Sequence, residues 1–308
     1  MEKVLVTGAA GFIGQALVEK LLCENKKIIA LVLPEEAGRL KKQENLAFVE
    51  GNLDDADDIR SKLQNEKFDT IYHLAWVGVS TTYKNDRKLQ MKNIEYAMFM
   101  MELAKEHGCQ KIICTGSVSE YAYEDGAVDG TRAVSPADMY SATKAAVHIY
   151  CDLYARQNEL DFNWVLIPSI YGPGRTDNNL ITYAIQMLSA GKKPSFTKLE
   201  QKWDYIYIDD LILSLYLVGE KGRKNQVYVT GSGVSRPMCE YVEILKDQID
   251  PDAELGIGDL PYKTNRIDNS VVDITKLQSD TGYKPQVSFE EGIRNTIDFF
   301  REQEDRNK

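Results

Sequence analysis

The stretch VLVTGAAGFIG, residues 4–14, decides the fold of this chain. An apolar run, a glycine-rich turn and an amphipathic segment in that order predict a strand, a tight turn and a helix. Gly8 permits the turn, Gly11 lets the backbone approach a phosphate, and Gly14 lets the helix pack close to the strand. The spacing is one residue longer than the common dinucleotide fingerprint, so a structural glycine loop is the alternative interpretation.

The start of the helix after this turn is a candidate anion site. The first N–H groups of a helix have no partner within the helix, and the helix dipole favours negative charge there. We therefore expect a dinucleotide pyrophosphate against the N–H groups of Gly11, Phe12 and Ile13.

A second motif, YSATK at residues 140–144, places a phenol and an ammonium on one face of a helix. Free tyrosine has a pKa of about 10, and a cation beside it favours the ionised form. Ser117, at the end of a predicted strand, can orient a substrate oxygen. We predict Ser117, Tyr140 and Lys144 as catalytic residues; the alternative is a surface Tyr–Lys pair on an amphipathic helix.

The amino-acid composition argues against several other classes of function. The 308 residues include 37 basic and 47 acidic side chains, a net charge of −10 with no basic stripe, which argues against nucleic-acid or anionic-membrane partners. The five cysteines form no C-x-x-C pair and the three histidines have no metal-ligand spacing, so we expect a reduced protein without a metal site. Without a secretory leader or a long apolar run, the sequence predicts a cytoplasmic protein with no membrane contact.

Strand-like and helix-like segments alternate through the first half of the chain. This alternation predicts an α/β fold with a Rossmann doubly wound parallel sheet and a smaller C-terminal substrate lobe. The predicted dinucleotide-binding domain is 1–168 with returning segments 204–231 and 273–303, and the predicted lobe is 169–203 with 232–272. Besides the first strand, the predicted strands are 27–33, 46–50, 69–75, 111–117 and 163–168, and the predicted helices are 12–24, 55–65, 88–107 and 138–158.

Ordered landmarks over nearly the whole chain resemble the extended short-chain dehydrogenase/reductases, which include nucleotide-sugar epimerases, dehydratases and 4-ketoreductases. These landmarks are Gly8/Gly11/Gly14, GNLD at 51–54, HLA at 73–75, Asn93, TGS at 115–117, Tyr140/Lys144, YGPG at 171–174, YIDD at 207–210, GYKP at 282–285 and FEEG at 289–292. The resemblance implies that Lys144 also holds the nicotinamide ribose.

The cofactor-binding residues expected on this basis lie at the ends of successive strands and on the helices that follow. They are Gly8, Gly11, Phe12, Ile13, Gly14, Arg39, Asn52, Leu53, Leu74, Ala75, Asn93, Tyr140, Lys144, Pro168 and Ile170. The resemblance also implies a homodimer in which helices 88–107 and 138–158 pair with those of a second copy as a four-helix bundle; burial of their apolar side chains within one chain is the alternative.

The choice between NAD and NADP depends on the end of the second strand. NAD-specific relatives place an acidic residue there for the adenosine 2′-hydroxyl, but this stretch ends with the apolar Val32 and Leu33. Glu35 and Glu36 could substitute or form a solvated turn, while Arg39, Lys41 and Lys42 could meet a 2′-phosphate or form an exposed basic helix start. The sequence therefore favours NADP(H), with NAD(H) as the alternative.

The expected substrate is a nucleotide sugar. The predicted substrate-binding residues are Ser117, Ser119, Tyr140, Asn178, Asn179, Lys202 and Arg266. Trp203 replaces an arginine common in the family, so Lys202 or Arg266 would supply the diphosphate contact. Asn178 and Asn179 open a predicted helix, where an amide reaches a phosphate or simply caps the helix.

Residues 118 and 119 distinguish among the family's reactions. Val118 and Ser119 stand where sugar 4,6-dehydratases have a carboxylate pair, and without a proton carrier we do not expect dehydration. The motifs HLAW, GS…EY and QKWDY look like the branch that holds CDP-abequose synthases and other 4-keto-6-deoxyhexose reductases. We predict reduction of an NDP-4-keto-6-deoxyhexose at C4. The alternatives are a 4-epimerase of the UDP-glucose or UDP-GlcNAc type and a non-catalytic NADP-binding relative.

Overall fold

A computed structural model of the protein describes residues 1–121, 126–262 and 271–306. The strands are β1 (Lys3–Thr7), β2 (Lys27–Val32), β3 (Leu46–Glu50), β4 (Thr70–His73), β5 (Lys111–Ser117), β6 (Asp161–Ile167), β7 (Ser169–Tyr171), β8 (Ser195–Phe196), β9 (Lys202–Trp203), β10 (Tyr205–Tyr207), β11 (Gln226–Val229), β12 (Arg236–Pro237) and β13 (Gly256–Ile257). The helices are α1 (Phe12–Cys23), α2 (Ala56–Leu63), α3 (Arg87–Glu106), α4 (Met139–Gln157), α5 (Leu180–Ser189), α6 (Ile208–Lys221), α7 (Met238–Ile249), α8 (Thr275–Thr281) and α9 (Phe289–Arg306).

The central sheet has seven parallel strands in the order β11-β6-β5-β4-β1-β2-β3. The chain moves outward from β1 to β3 and then returns to place β4 on the other side of β1. The strand order therefore reverses between β1 and β4, and this reversal leaves a crevice at the carboxyl ends of the two strands. The predicted doubly wound α/β fold is confirmed.

Helices cover both faces of this sheet, as right-handed crossovers require. Helices α1 and α6 pack together on one face, while α3 and α4 pack together on the other. The central strands are buried on both sides and therefore read as continuous apolar runs rather than as alternating patterns. Of the helices in the described ranges, none is long and apolar enough to span a membrane.

The two segments assigned to the substrate lobe are joined by small sheets. Strand β9 pairs with β12 and β8 pairs with β13, so each segment contributes one strand to each pair. Helices α5 and α7, one from each segment, also pack against each other. By contrast β7, at the start of the first segment, pairs with β10 from the returning segment. The division between domain and lobe stays a prediction.

Candidate active site

The glycine turn lies at the β1–β4 crevice, and its backbone leaves no space for side chains at two of the three glycines. Gly8 has φ +65°, and a Cβ there would lie 2.7 Å from the backbone nitrogen of Ala75. A Cβ on Gly14 would collide with the carbonyl oxygen of Gly8. Gly11 donates its N–H to that same carbonyl at 3.0 Å, which closes the turn.

Helix α1 begins immediately after this turn, at Phe12. Gly11 is its N-cap residue and supplies no side-chain cap, and the first helical turn holds no acidic residue. The N–H groups of Phe12 and Ile13 are therefore available to an anion. The glycine cradle and the uncapped helix start together fit the phosphates of a dinucleotide.

The end of β4 forms the opposite side of the crevice and is fixed by Thr7. The Thr7 hydroxyl shares a 2.8 Å hydrogen bond with Nδ1 of His73 and accepts the N–H of Ala75 at 3.2 Å. Burial and, to a smaller extent, the nearby Lys144 ammonium lower the pKa of His73 to about 3. His73 is therefore neutral at physiological pH and acts as a fixed support for the Leu74–Ala75 segment.

Asn93, predicted to contact the cofactor, is buried and holds the loop after β4. Its side-chain oxygen accepts the N–H of Val77 at 2.9 Å, and its amide nitrogen donates to the Val77 carbonyl at 3.0 Å. Both ends of the amide are thus used on the backbone. Direct contact with a cofactor stays a prediction for this residue.

The predicted catalytic side chains meet at the carboxyl end of β5. Ser117 is the last residue of that strand, and Tyr140 lies in the first turn of α4, where Asp138 caps the helix. The Ser117 hydroxyl lies near enough to the Tyr140 phenol to lower the pKa of that phenol. Ser119 donates its own hydroxyl to Ser117 at 2.8 Å. Three hydroxyl groups therefore converge beside the crevice.

Lys144 lies one helical turn after Tyr140 and is buried. Its ammonium donates to the carbonyl of Thr115 at 2.7 Å and stands 3.6 Å from the centre of the Trp76 ring. The distance from its nitrogen to the centre of the Tyr140 ring is 5.9 Å. Burial lowers the pKa of Lys144 to about 7, while the Glu120 carboxylate raises it.

The pKa of the Tyr140 phenol differs from the sequence-based expectation. Burial raises this pKa above its ordinary value, the neighbouring Ser117 hydroxyl lowers it, and the negative charges of Glu120 and Asp138 raise it. Lys144 was expected to favour the ionised phenol, but its ammonium is directed at a backbone carbonyl instead. In this structure Tyr140 is a protonated donor rather than a preformed phenolate.

The residues predicted near the adenosine lie at the ends of β2 and β3. Arg39, at the end of the short 3₁₀ helix Pro34–Arg39, pairs with Glu36 at 2.8 Å. Asn52 uses its side-chain oxygen to accept the N–H of Asp54 at 3.0 Å, and Leu53 packs against the core. Arg39 is thus already engaged by a carboxylate on its own turn.

The predicted substrate residues are less closely grouped. Asn179 caps α5, since its oxygen accepts the N–H groups of Ile181 and Thr182 at 3.0 and 3.2 Å. Asn178 and Lys202 are exposed. Arg266 lies outside the described residues.

Pro168 and Ile170 flank the start of β7, next to the end of β6. The carbonyl of Ile170 accepts a hydrogen bond from Arg175, whose guanidinium also pairs with Asp177 at 2.6 Å. Arg175 therefore links this segment to the loop before α5.

Two side chains at the site were not assigned roles from the sequence. Trp76 lies in the loop after β4, beyond Leu74 and Ala75, and contacts both Tyr140, with ring centres 5.8 Å apart, and Lys144. Its position at the carboxyl edge of the sheet was a signal that could have identified it. Glu120 follows Ser117 by three residues and is fully buried. No sequence pattern indicates burial of that carboxylate.

Comparison with known proteins gives the family. Residues 4–231 match the model of the NAD dependent epimerase/dehydratase family. UDP-glucose 4-epimerase from Mycolicibacterium smegmatis is 27% identical, covering 97% of this chain and 98% of its own. dTDP-glucose 4,6-dehydratase from Streptomyces antibioticus is 24% identical, covering 97% and 92%. The crystal structure of UDP-glucuronic acid 4-epimerase from Bacillus cereus, in complex with UDP-glucuronic acid and NAD, superposes with a TM-score of 0.86 at 24% identity, covering 98% and 99%.

The chain belongs to the NAD-dependent epimerase/dehydratase family, the extended short-chain dehydrogenase/reductases. It is an enzyme of the class that acts on nucleotide sugars. The narrower resemblance to CDP-abequose synthases stays a prediction.

Proposed function

We propose that this enzyme is a nucleotide-sugar 4-epimerase acting on a UDP-linked hexose. The observation that supports this most directly is the proximity of the Ser117 hydroxyl to the Tyr140 phenol at the carboxyl end of β5, beside a glycine cradle that fits a dinucleotide. Relatives along the full chain are named as UDP-sugar 4-epimerases. The 4-epimerase was the alternative hypothesis from the sequence, and it has more support than the 4-ketoreductase.

In the proposed reaction the protein handles one proton at the sugar O4. For oxidation at C4 the Tyr140 phenol first loses its own proton to solvent; the phenolate then takes the O4 proton and returns it when the 4-keto group is reduced. Ser117, which accepts a hydrogen bond from the Ser119 hydroxyl, holds the oxygen. Lys144 supplies positive charge behind the pair. A bound nicotinamide dinucleotide supplies the hydride acceptor and donor at C4. Val118 and Ser119 place no carboxylate near the sugar, so loss of water at C5–C6 has no proton carrier.

The proposed cofactor is NAD, held by the cradle of Gly8, Gly11 and Gly14 and by Lys144. Arg39 is one of the cations that could meet a 2′-phosphate, and its pairing with Glu36 weakens that part of the case for NADP. The solved Bacillus cereus relative contains NAD. NADP(H) remains the alternative because the end of β2 is apolar.

We further propose that the lobe holds the nucleotide diphosphate. The pairings β8–β13 and β9–β12 and the α5–α7 packing support a unit built from both segments. Asn178 and Lys202 are the exposed polar contacts that this unit offers among the predicted residues, with Arg266 as the predicted third.

The homodimer is proposed on the outer faces of α3 and α4. These helices pack side by side, and their large exposed apolar residues are Met91, Ile149, Tyr150 and Leu153. Large exposed apolar side chains on two neighbouring helices favour an interaction surface. A second copy that presents the same two helices would bury it by two-fold symmetry.

The second candidate is the 4-ketoreductase, favoured by the absence of an acidic side chain at the end of β2. One experiment separates the two. The purified protein is incubated with UDP-glucose and with UDP-GlcNAc without added cofactor, and the anomeric protons are followed by NMR. Appearance of the C4 epimer together with protein-bound NAD supports the epimerase. Consumption of one NADPH per NDP-4-keto-6-deoxyhexose, with no epimer formed, supports the reductase instead.

A further inference from the structure

Glu120 is a buried carboxylate directly behind the catalytic hydroxyls. It lies in the 3₁₀ turn Val118–Tyr121, which follows β5, and its relative exposure is 0%. A charged side chain is rarely buried to this extent without a structural or functional partner. The reactions described above assign it no role.

One oxygen of Glu120 fixes the backbone of Ser117. Its Oε1 accepts the Ser117 N–H at 2.8 Å, at the point where β5 ends and the chain turns. The Glu120 carbonyl accepts the N–H of Ser135 at 2.8 Å and so joins the turn to the segment before α4. The carboxylate therefore sets the direction in which the Ser117 hydroxyl leaves the strand.

Space for this carboxylate depends on Gly116. A Cβ at Gly116 would lie 2.7 Å from Glu120 Oε1 and 2.6 Å from Cε2 of Trp164. Glu120 Oε2 and the Trp164 indole nitrogen are both buried without a hydrogen-bond partner at normal geometry, although the two groups are neighbours. A buried oxygen that lacks a partner is costly unless its charge is balanced nearby.

The nearby positive charge is Lys144. Burial raises the pKa of Glu120 to about 7, while the Ser117 N–H, the Lys144 ammonium and the Trp164 indole each lower it. The reciprocal effect favours the charged form of Lys144, since Glu120 opposes the burial that lowers the Lys144 pKa to about 7. Cys114 of β5 also raises the Lys144 pKa, and the Tyr140 and Tyr121 phenols face the negative charge of Glu120, which raises both of their pKa values.

We propose that Glu120 is a positioning residue of this active site, holding Ser117 by its backbone N–H and balancing the ammonium of Lys144. The proposal rests on the proposed catalytic roles of Ser117, Tyr140 and Lys144. Removing the negative charge lowers the pKa of both Lys144 and Tyr140, because Glu120 raises each of them. The pH range in which Lys144 is charged therefore moves to lower pH.

The kinetic test compares pH profiles of epimerisation. Glu120→Gln keeps an oxygen acceptor for the Ser117 N–H and removes the charge. We expect the alkaline limb of its kcat/KM profile to move down by about one pH unit, which is about a tenfold loss above pH 8. Asp161→Asn is the matched control, a buried carboxylate paired with Lys111 at the amino end of β6, about 20 Å along that strand from the site. Superimposed profiles for wild type and Glu120→Gln would overturn the proposal.

A second measurement needs no substrate and so separates this proposal from the proposed function. The Ser117 amide resonance, followed by NMR from pH 5.5 to 9, reports the charge on the oxygen that it donates to. We expect a titration with an apparent midpoint of about 7 in the wild type, its loss in Glu120→Gln, and a higher midpoint in Lys144→Met, where the stabilising cation is gone. If the Ser117 resonance titrates but the enzyme does not epimerise a UDP-linked hexose, the proposed epimerase is rejected and the role of Glu120 is retained. Turnover with a flat Ser117 resonance rejects Glu120 as a charged partner.

Discussion

The Lys144 ammonium stands 3.6 Å from the centre of the Trp76 indole ring, so the cation of the catalytic motif is held against an aromatic face. The two residues come from different elements, the loop after β4 and the first half of α4. The indole N–H of Trp76 donates to Gln90 at 3.3 Å and fixes the ring in this position. A desolvated cation–π contact of this kind contributes about 2 kcal/mol.

Trp76→Leu should therefore reduce kcat by about ten- to thirtyfold, because Lys144 loses a partner worth about 2 kcal/mol and Tyr140 loses its edge contact. Trp76→Phe keeps an aromatic face and should lose less. Steady-state kinetics of both variants test this. Equal kcat in Leu, Phe and wild type would contradict it.

Tyr140→Phe should lose nearly all turnover while it still binds cofactor and nucleotide sugar, since only the proton-transfer oxygen is removed. General acid–base groups contribute on the order of 10²–10⁴-fold, and a loss in that range is expected. Tyr150→Phe, on the exposed side of the same helix, is the control and should retain activity. Turnover and calorimetric binding are measured together; a Tyr140→Phe enzyme with normal kcat would exclude this role.

Gly11→Val should abolish binding of the dinucleotide and leave the protein folded. A Cβ at Gly11 would lie 3.3 Å from the Gly8 oxygen, a tight but tolerable contact, whereas the rest of the side chain would enter the phosphate site. Gly14→Val should instead fail to fold, because its Cβ collides with the Gly8 carbonyl. Circular dichroism and titration calorimetry with NAD distinguish the two. Unchanged NAD affinity in folded Gly11→Val would be inconsistent with the cradle.

The stability of the fold should decrease in mild acid because of His148. Its ring stacks on Trp164 with centres 5.1 Å apart, and burial lowers its pKa to about 4. An unfolded histidine has a pKa of about 6.5, so the folded state binds fewer protons between these values. This contribution is complete above pH 6.5 and is lost as pH falls towards 4, by at most about 1.4 kcal/mol per pH unit.

His148→Phe keeps the stacked ring and removes the titrating group, so its free energy of unfolding should depend less on pH between 6.5 and 5. Urea unfolding at several pH values measures the difference. His73, with a pKa lowered to about 3, acts in the same direction and leaves some pH dependence in the variant. Identical slopes for variant and wild type would refute the assignment to His148.

Ile149→Asp should convert the proposed dimer to a monomer, since Ile149 is 62% exposed on α4 and the charge would be desolvated at the interface. Leu260→Asp changes a similarly exposed apolar residue outside α3 and α4 and should leave the association unchanged. Sedimentation velocity at micromolar concentration compares the two variants. A wild-type protein that sediments only as a monomer would exclude the interface.

The sequence by itself determined the local elements and the order in which they occur. Glycine positions specify the β1–α1 turn through backbone sterics, and Asp138 begins α4 by capping it, so these features are encoded within a few residues. Helices predicted at 12–24, 55–65, 88–107 and 138–158 lie within two residues of α1 to α4 at each end. The pairing of Ser117 with Tyr140 was also predictable, because motif order and strand ends bring them to one edge of a parallel sheet.

Only the tertiary structure decided which side chains surround the catalytic residues and in which direction their pKa values shift. The sequence assigns no role to Trp76 and Glu120 and assigns Asn93 to the cofactor. Packing places the Trp76 ring against Lys144, buries Glu120 and directs the Asn93 amide onto the Val77 backbone. The same packing raises the pKa of Tyr140 rather than lowering it, since burial acts on the phenol while Lys144 faces a carbonyl. Burial and long-range contact arise from elements far apart in the chain, and local periodicity carries no information on which side chains they bring together.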